Sequence, residues 1–150
     1  MPAPFGAVGI AHDGAHITEL TFLDAGTTLV EPADDLSRDA ARQLVAYFAD
    51  PRFPFRLPLK PFGTDFQRRV WAAIAAVPCG SVRTYGEVAR ELGSVARAVG
   101  QACGSNAYPL VIPCHRVVAS SGLGGFALSR DGFLPGVKRW LLDHEGFVLA

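Results

Sequence analysis

Pro51, Pro54, Pro58 and Pro61 crowd into residues 51–63, and no other feature restricts the fold as much. Each proline locks φ and removes a backbone donor, so this segment can continue neither a helix nor a central strand. It reads as a linker that divides the chain in two. The chain has 150 residues, 49% of them hydrophobic and 19% charged, which is enough apolar mass for packed cores and excludes a disordered or collagen-like chain. We therefore expect residues 1–58, linker included, as one domain and residues 59–150 as a second.

The net charge of zero conceals an imbalance. Residues 1–58 carry 4 Arg and no Lys against 8 acidic side chains, and residues 59–150 carry 10 basic against 6 acidic. A polyanionic partner is thus accommodated only by the second half. No apolar run approaches the roughly 20 residues of a bilayer span, and the N-terminus lacks the pattern of a signal peptide. Cys79, Cys103 and Cys114 form an odd set without CxxC spacing, which fits thiols kept reduced in the cytoplasm.

Residues 5–24 read as a hairpin. Val8 and Ile10 alternate on one strand and Ile17, Leu20 and Phe22 on the other, with Asp13-Gly14 as the turn. His12 and His16 flank that turn as solvated side chains, with no further ligand nearby to complete a metal site. Ser37 is the expected cap of a helix running to Ala49. The expected fold class is an α+β N-terminal domain, a small antiparallel sheet plus a helix, followed by a mainly α C-terminal domain.

The second half opens on Thr64-Asp65-Phe66-Gln67, a capping box whose ends satisfy each other's backbone donors. Phe66, Val70, Ala73, Ile74 and Val77 follow at helical spacing until Pro78. A second box, Thr84-Tyr85-Gly86-Glu87, starts a helix stopped by Gly93, and Ser94 is the expected cap of a third helix over residues 95–105. This is a helix-turn-helix pattern. Between Glu91 and Arg116 the only permanent charge is Arg97, set among Ala96, Ala98, Gly100, Ala102, Cys103, Gly104 and Ser105. Such a bare helix suits tight packing on one face and close approach to a ligand on the other. Cys79 and Cys103 read as small packing residues, and Phe66, Trp71 and Trp140 as core.

Leu110-Val111-Ile112-Pro113 leads into Cys114-His115-Arg116-Val117. A thiol reacts as its thiolate, and His115 and Arg116 put a base and a positive charge within local reach of Cys114. In an extended chain adjacent side chains diverge, so His115 is expected to act through a turn or a water. A repeatedly acting cysteine hydrolase would use the same pair.

Pro113-Cys114-His115-Arg116-Val117 resembles the active-site motif of the O6-alkylguanine-DNA alkyltransferases. Gly63-Thr64-Asp65-Phe66-Gln67 with Val70-Trp71 and Pro78, Thr84-Tyr85-Gly86-Glu87, Arg97-Ala98-Val99-Gly100 with Asn106, and Trp140-Leu141-Leu142 with His144-Glu145-Gly146 resemble other family motifs, in the family's order. The resemblance covers residues 60–147, and it leaves as an alternative a non-catalytic lesion binder of the alkyltransferase-like kind, which would use the same helices. It implies a DNA repair protein that flips O6-alkylguanine, and by extension O4-alkylthymine, out of duplex DNA and transfers the alkyl group irreversibly to Cys114. His115 would take the thiol proton, Glu145 would orient His115, and Asn106 would brace the turn. Arg97, Ala98, Gln101, Thr84, Tyr85 and Arg116 would meet the DNA, with Arg97 filling the space of the flipped base. Tyr85, Val117, Phe126 and Ala127 would line the alkyl pocket.

No cofactor and no metal is expected. Beyond the duplex carrying O6-alkylguanine, the family leaves room for protein contacts along DNA, the chain otherwise being a monomer without a membrane partner. Two departures stand out: a shorter turn at Leu92-Gly93-Ser94-Val95, and residues 128–136 in place of a short Gly-Gly turn, expected to form a loop that alters preference for alkyl size.

Overall fold

The computed structural model describes residues 1–124 and 133–147. The chain forms two compact units, Met1–Pro61 and Phe62–Ala150. The first is built on a three-stranded antiparallel sheet, β1 (Pro2–Ala3), β2 (Gly6–His12) and β3 (Ile17–Leu23), in the order β1-β2-β3. The hairpin is present, but its turn is longer than Asp13-Gly14. Asp13 N–H closes on His16 O at 3.1 Å, while the Asp13 carboxylate accepts from Ala15 N at 3.0 Å and His16 N at 2.8 Å. An aspartate that bonds the backbone two and three residues on can hold a wider loop than a two-residue turn. A register shift opposite Ala11 and His12 makes room for Thr18, which is why Ile17 and Leu20 are both buried although they are an odd number of residues apart.

Helix α1 (Asp35–Ala49) starts one turn earlier than expected, because Asp34 rather than Ser37 is its cap; the Asp34 carboxylate accepts from Ser37 N at 2.8 Å and Ser37 Oγ at 2.9 Å. The other corrected residue here is His12. It is tied down rather than solvated, with Nδ1 accepting from Gly14 N and Nε2 lying 3.1 Å from Asp34 Oδ2. Leu44 and Tyr47 of α1 are buried, as is Gln43, whose amide donates to Arg56 O at 3.0 Å and accepts from Arg56 N at 2.8 Å. Those two bonds, together with Ile17 N to Pro58 O at 2.7 Å and Lys60 N to Ile17 O at 2.9 Å, make the proline segment an edge of this unit. Prolines are tolerated there because an edge needs only half of its donors.

The second unit contains α2 (Asp65–Ala75), α3 (Tyr85–Leu92) and α4 (Ala96–Gly104), which pack on one another. Both capping boxes form as the sequence predicts, Thr64 with Gln67 and Thr84 with Glu87. Gly93 closes α3 in the left-handed conformation at φ 67°, with Gly93 N–H donating to Arg90 O and Ser94 N–H to Ala89 O. Those bonds occupy Ser94 as part of the stop signal. Val95 therefore takes the cap position of α4, without any side-chain cap bond. The helix-turn-helix is locked by Trp71, a buried α2 side chain whose Nε1 donates to Ala102 O of α4 at 2.9 Å.

Two features were not legible in the sequence. Strands β4 (Arg83–Thr84) and β5 (Val117–Val118) pair in parallel, Arg83 with Val117 and Thr84 with Val118. Each is two residues long, too short for any periodicity to show. Helix α5 (Phe133–His144) takes in residues 133–136, which were expected as loop. Pro135 sits in its first turn, where a missing N–H costs nothing. Residues 128–132 of that expected loop lie outside the described residues. Among the described residues no helix is long and apolar enough to cross a membrane.

Trp71→Phe keeps most of the apolar volume and removes the side-chain donor to Ala102 O, which keeps only Ser105 N–H at 3.2 Å. A buried hydrogen bond contributes about 0.5–1.5 kcal/mol net, so we expect a drop of that size in unfolding free energy by denaturant titration. An unchanged midpoint would mean that water replaces the bond.

Candidate active site and DNA-facing helix

The reactive segment is a turn rather than a strand. Cys114–Arg116 forms a single 3-10 turn entered from Pro113. The loop before it is held by Asn106, whose Nδ2 donates to Ile112 O at 2.9 Å and to Cys114 Sγ at 3.2 Å, and whose Oδ1 accepts from Tyr108 N at 2.9 Å. One amide thus fixes both ends of the loop and touches the sulfur. Within it Leu110 is held at φ 77°, a left-handed conformation that costs a leucine roughly 1–2 kcal/mol. Such strain persists only where the surroundings over-determine the backbone, as the buried Leu110 side chain and Asn106 do here.

Next in the turn, His115 is fully enclosed, and its Nε2 lies 2.8 Å from Glu145 Oε2. Glu145, just past α5, is also buried, yet its charge is paired. Arg116 donates from Nε to Oε1 at 2.8 Å and from Nη2 to Oε2 at 3.0 Å, while its Nη1 donates to Val77 O at 2.7 Å. A carboxylate held by a two-pronged guanidinium stays ionised and acts only as an acceptor. The facing His115 nitrogen must then carry the proton. The neutral ring leaves Nδ1 as a lone-pair acceptor, and that buried atom has no hydrogen-bond partner. Burial pushes the His115 pKa below its ordinary value despite Glu145, so the ring is neutral at pH 7.

Cys114 is 4% exposed, and its thiol is pushed well above the ordinary range, first by its hydrogen bond with Cys103 and then by burial. It needs a base. The same hydrogen bond lowers the Cys103 pKa. Cys103, read from the sequence as packing, therefore sits in the site. So does Lys138 of α5, which carries no motif and was missed: it is wholly buried, donates from Nζ to Val117 O at 2.7 Å, and has its pKa pushed down to about 8 by burial. Lys138 favours the anionic forms of both thiols. Its Nζ lies 5.6 Å from the centre of the Tyr85 ring, and burial raises the Tyr85 phenol, keeping it a hydrogen-bond donor. Gly124 lies against the same ring, where an added Cβ would come within 3.4 Å of Tyr85 Cε2.

Cys114, His115, Glu145 and Asn106 are thus brought together. Arg97 and Gln101 lie exposed one helical turn apart on α4, with Ala98 half-buried. Gly100 faces open space, since a Cβ added there would meet nothing within 4 Å. Its lack of a side chain serves no internal packing. Thr84 spends its hydroxyl as the α3 cap, and Val117 is buried in β5. Arg116, expected at the DNA, is instead committed to Glu145 and Val77, because a buried carboxylate demands its charge there. Phe126 and Ala127 lie outside the described residues. No group of metal-ligating side chains occurs among the described residues.

Comparison with known proteins shows the family. The 6-O-methylguanine DNA methyltransferase DNA binding domain matches residues 65–147, and the ribonuclease-like domain of the same proteins matches residues 1–61. Methylated-DNA–protein-cysteine methyltransferase of Methanosarcina barkeri is 40% identical over 97% of this chain and 94% of its own, and that of Methanosarcina acetivorans 36% identical over 96% and 94%. Mycobacterium tuberculosis OGT crystallised in complex with DNA superposes with a TM-score of 0.78 at 38% identity, covering 97% of this chain and 89% of that one. With Cys114, His115, Asn106 and Glu145 assembled inside the matched region, the chain belongs to the 6-O-methylguanine DNA methyltransferase family.

Proposed function

We propose that this protein repairs duplex DNA by moving the alkyl group of O6-alkylguanine to its own Cys114, once per molecule. The observation that carries the reading is the His115 ring: ionised Glu145 takes its Nε2–H and leaves Nδ1 as a buried, unpaired acceptor in the residue next to the thiol. The proton of Cys114 passes to Nδ1 through a water, in the manner of base-and-orienter relays. The thiolate then attacks the alkyl carbon in line, the S–C bond forming as the C–O6 bond breaks. Negative charge develops on the departing guanine, and the Tyr85 phenol, kept protonated by burial, donates to it. Water does not cleave the resulting thioether, so the cycle ends there.

A base inside a duplex cannot reach a thiol that is 4% exposed, so the target nucleotide has to be flipped. The bare α4 face supports this. Gly100 allows a DNA backbone to approach closely, and Arg97, exposed near the start of the helix, fills the space the base leaves. The similar M. tuberculosis protein was crystallised in complex with DNA, which supports DNA as the partner.

Intact-protein mass after incubation with a duplex carrying one O6-methylguanine tests the proposal. We expect a gain of one methyl, located on the Cys114 peptide and absent in Cys114→Ser. Lesion-dependent binding without a mass gain would identify a lesion sensor instead. Glu145→Gln keeps the shape but frees the His115 tautomer, so the single-turnover rate should fall by about 100-fold or more while lesion affinity is retained. An unchanged rate would remove Glu145 from the relay.

The acid limb of the rate also follows from the His115 shift. The base works only when neutral, and its pKa lies below the ordinary 6.5. The rate should therefore hold as pH falls through 6.5 and decline only below it. A decline centred above 6.5 would contradict a buried, neutral His115.

A further inference from the structure

Val95 is unfavourable for the fold on two separate counts. It stands four residues before Val99 and seven before Ala102, both buried, so helical spacing alone would carry it into the core of the second unit. Instead its backbone is extended, at φ −121° and ψ 153°, and the side chain is turned outward and is 64% exposed. That conformation is the one an N-cap residue adopts, yet valine has no oxygen to offer the first backbone donors of α4, and no side-chain cap bond forms. Serine, threonine, asparagine or aspartate would each serve the helix better there. A lone exposed valine is ordinary. One that also occupies the place of a capping side chain, just ahead of Arg97 and within residues matched to a DNA binding domain, points to a role outside the chain.

The surroundings say what would cover it. Ala96 and Arg97 follow as exposed residues, and Gln101 continues the exposed face one turn further on. Arg90, in the last turn of α3, is exposed as well. The acidic neighbour Glu91 is held by Arg83 at 2.6 Å, and the Leu92 carbonyl accepts from Arg69 Nη2 at 3.1 Å, so the negative groups beside Val95 are already matched by positive ones. An apolar side chain with Arg90 before it and Arg97 after it suits the groove of a duplex, where the walls are deoxyribose carbon and the rims are phosphate. We propose that Val95 is a DNA-contact residue whose isopropyl group seats against the deoxyribose wall of the groove that α4 enters. The inference rests on the docking of α4 on DNA and not on alkyl transfer.

The consequence is a division of labour along α4. The arginines attract the polyanion over a distance and are weakened by salt, whereas apolar burial at Val95 is felt only on contact and carries no counterion release. The branched side chain is stiff at χ1, so little rotamer freedom is lost when it seats. Val95 meets the duplex whether or not a base has left the stack, while Arg97 fills its place only after the base has gone. Val95 therefore strengthens binding to unmodified and lesion-bearing duplex alike.

The test uses the full chain carrying Cys114→Ser, so that binding is measured without transfer, and reads fluorescence anisotropy with an unmodified duplex and with the same duplex bearing one O6-methylguanine. Adding Val95→Ser should lower affinity for both duplexes by about five- to tenfold, the loss of one apolar contact. The slope of log Kd against log salt should stay as in the parent, because no charge is removed. Val95→Ile, which keeps the apolar branch, should retain the parental affinity. The thermal midpoint of Val95→Ser should hold or rise, since serine supplies the missing cap. Binding would thus weaken while the fold does not, a combination that a purely structural role for Val95 does not produce. Unchanged affinity in Val95→Ser, a loss accompanied by a lower thermal midpoint, a shallower salt slope, or an equal loss in Val95→Ile would each overturn the proposal. Because affinity is read without transfer, its failure is distinguishable from a failure of the alkyl-transfer reading.

Discussion

The second unit depends on one buried carboxylate. Glu145 lies between Arg116 and His115, and Arg116 reaches on to the Val77 carbonyl beyond α2. Three chain segments, the end of α2, the reactive turn and the end of α5, are thereby fastened at a single point. Removing one partner of such a buried pair costs about 3–5 kcal/mol, because the other charge is left without water or a counter-ion. The same interaction fixes the His115 tautomer. Stability and proton handling are therefore inseparable here, and no neutral substitute for Glu145 supplies both.

Around that point the electrostatics divide the work. Burial holds His115 neutral, and the Cys103 side chain together with burial holds the Cys114 thiol protonated, so nucleophile and base both rest in uncharged forms. Lys138 supplies the compensating positive field, its pKa pushed down to about 8 by the same burial yet still cationic at pH 7. Such an arrangement stores no exposed thiolate that would react with passing electrophiles; the anion forms only when the proton has somewhere to go. The helix-turn-helix is rigid for a separate reason. Trp71 ties α2 to α4, so the face bearing Arg97 and Gln101 is set by the core rather than by a loop.

Much of this was readable because it is local. The capping boxes at Thr64 and Thr84 and the stop at Gly93 each involve residues a few positions apart, and they form as read. The adjacency of Cys114 and His115 is covalent. Where local signals competed, the reading slipped: Ser37 and Ser94 looked like caps, but Asp34 was a stronger acceptor in one case, and the Gly93 stop had already claimed Ser94 in the other. His12 looked solvated because its partner, Asp34, is brought near only by the fold.

The sequence by itself determined the hairpin of the first unit, the three short helices of the second, and the reactive Pro113-Cys114-His115-Arg116 segment. Proline stereochemistry, capping bonds and covalent neighbours act over a few residues and need no tertiary context. Only the tertiary structure decided that Arg116 serves Glu145, that Lys138 is buried against Val117, and that Asn106 meets the Cys114 sulfur. Those three depend on which charged and polar groups lose their water together. Desolvation is a property of the packed molecule, and no spacing along the chain encodes it.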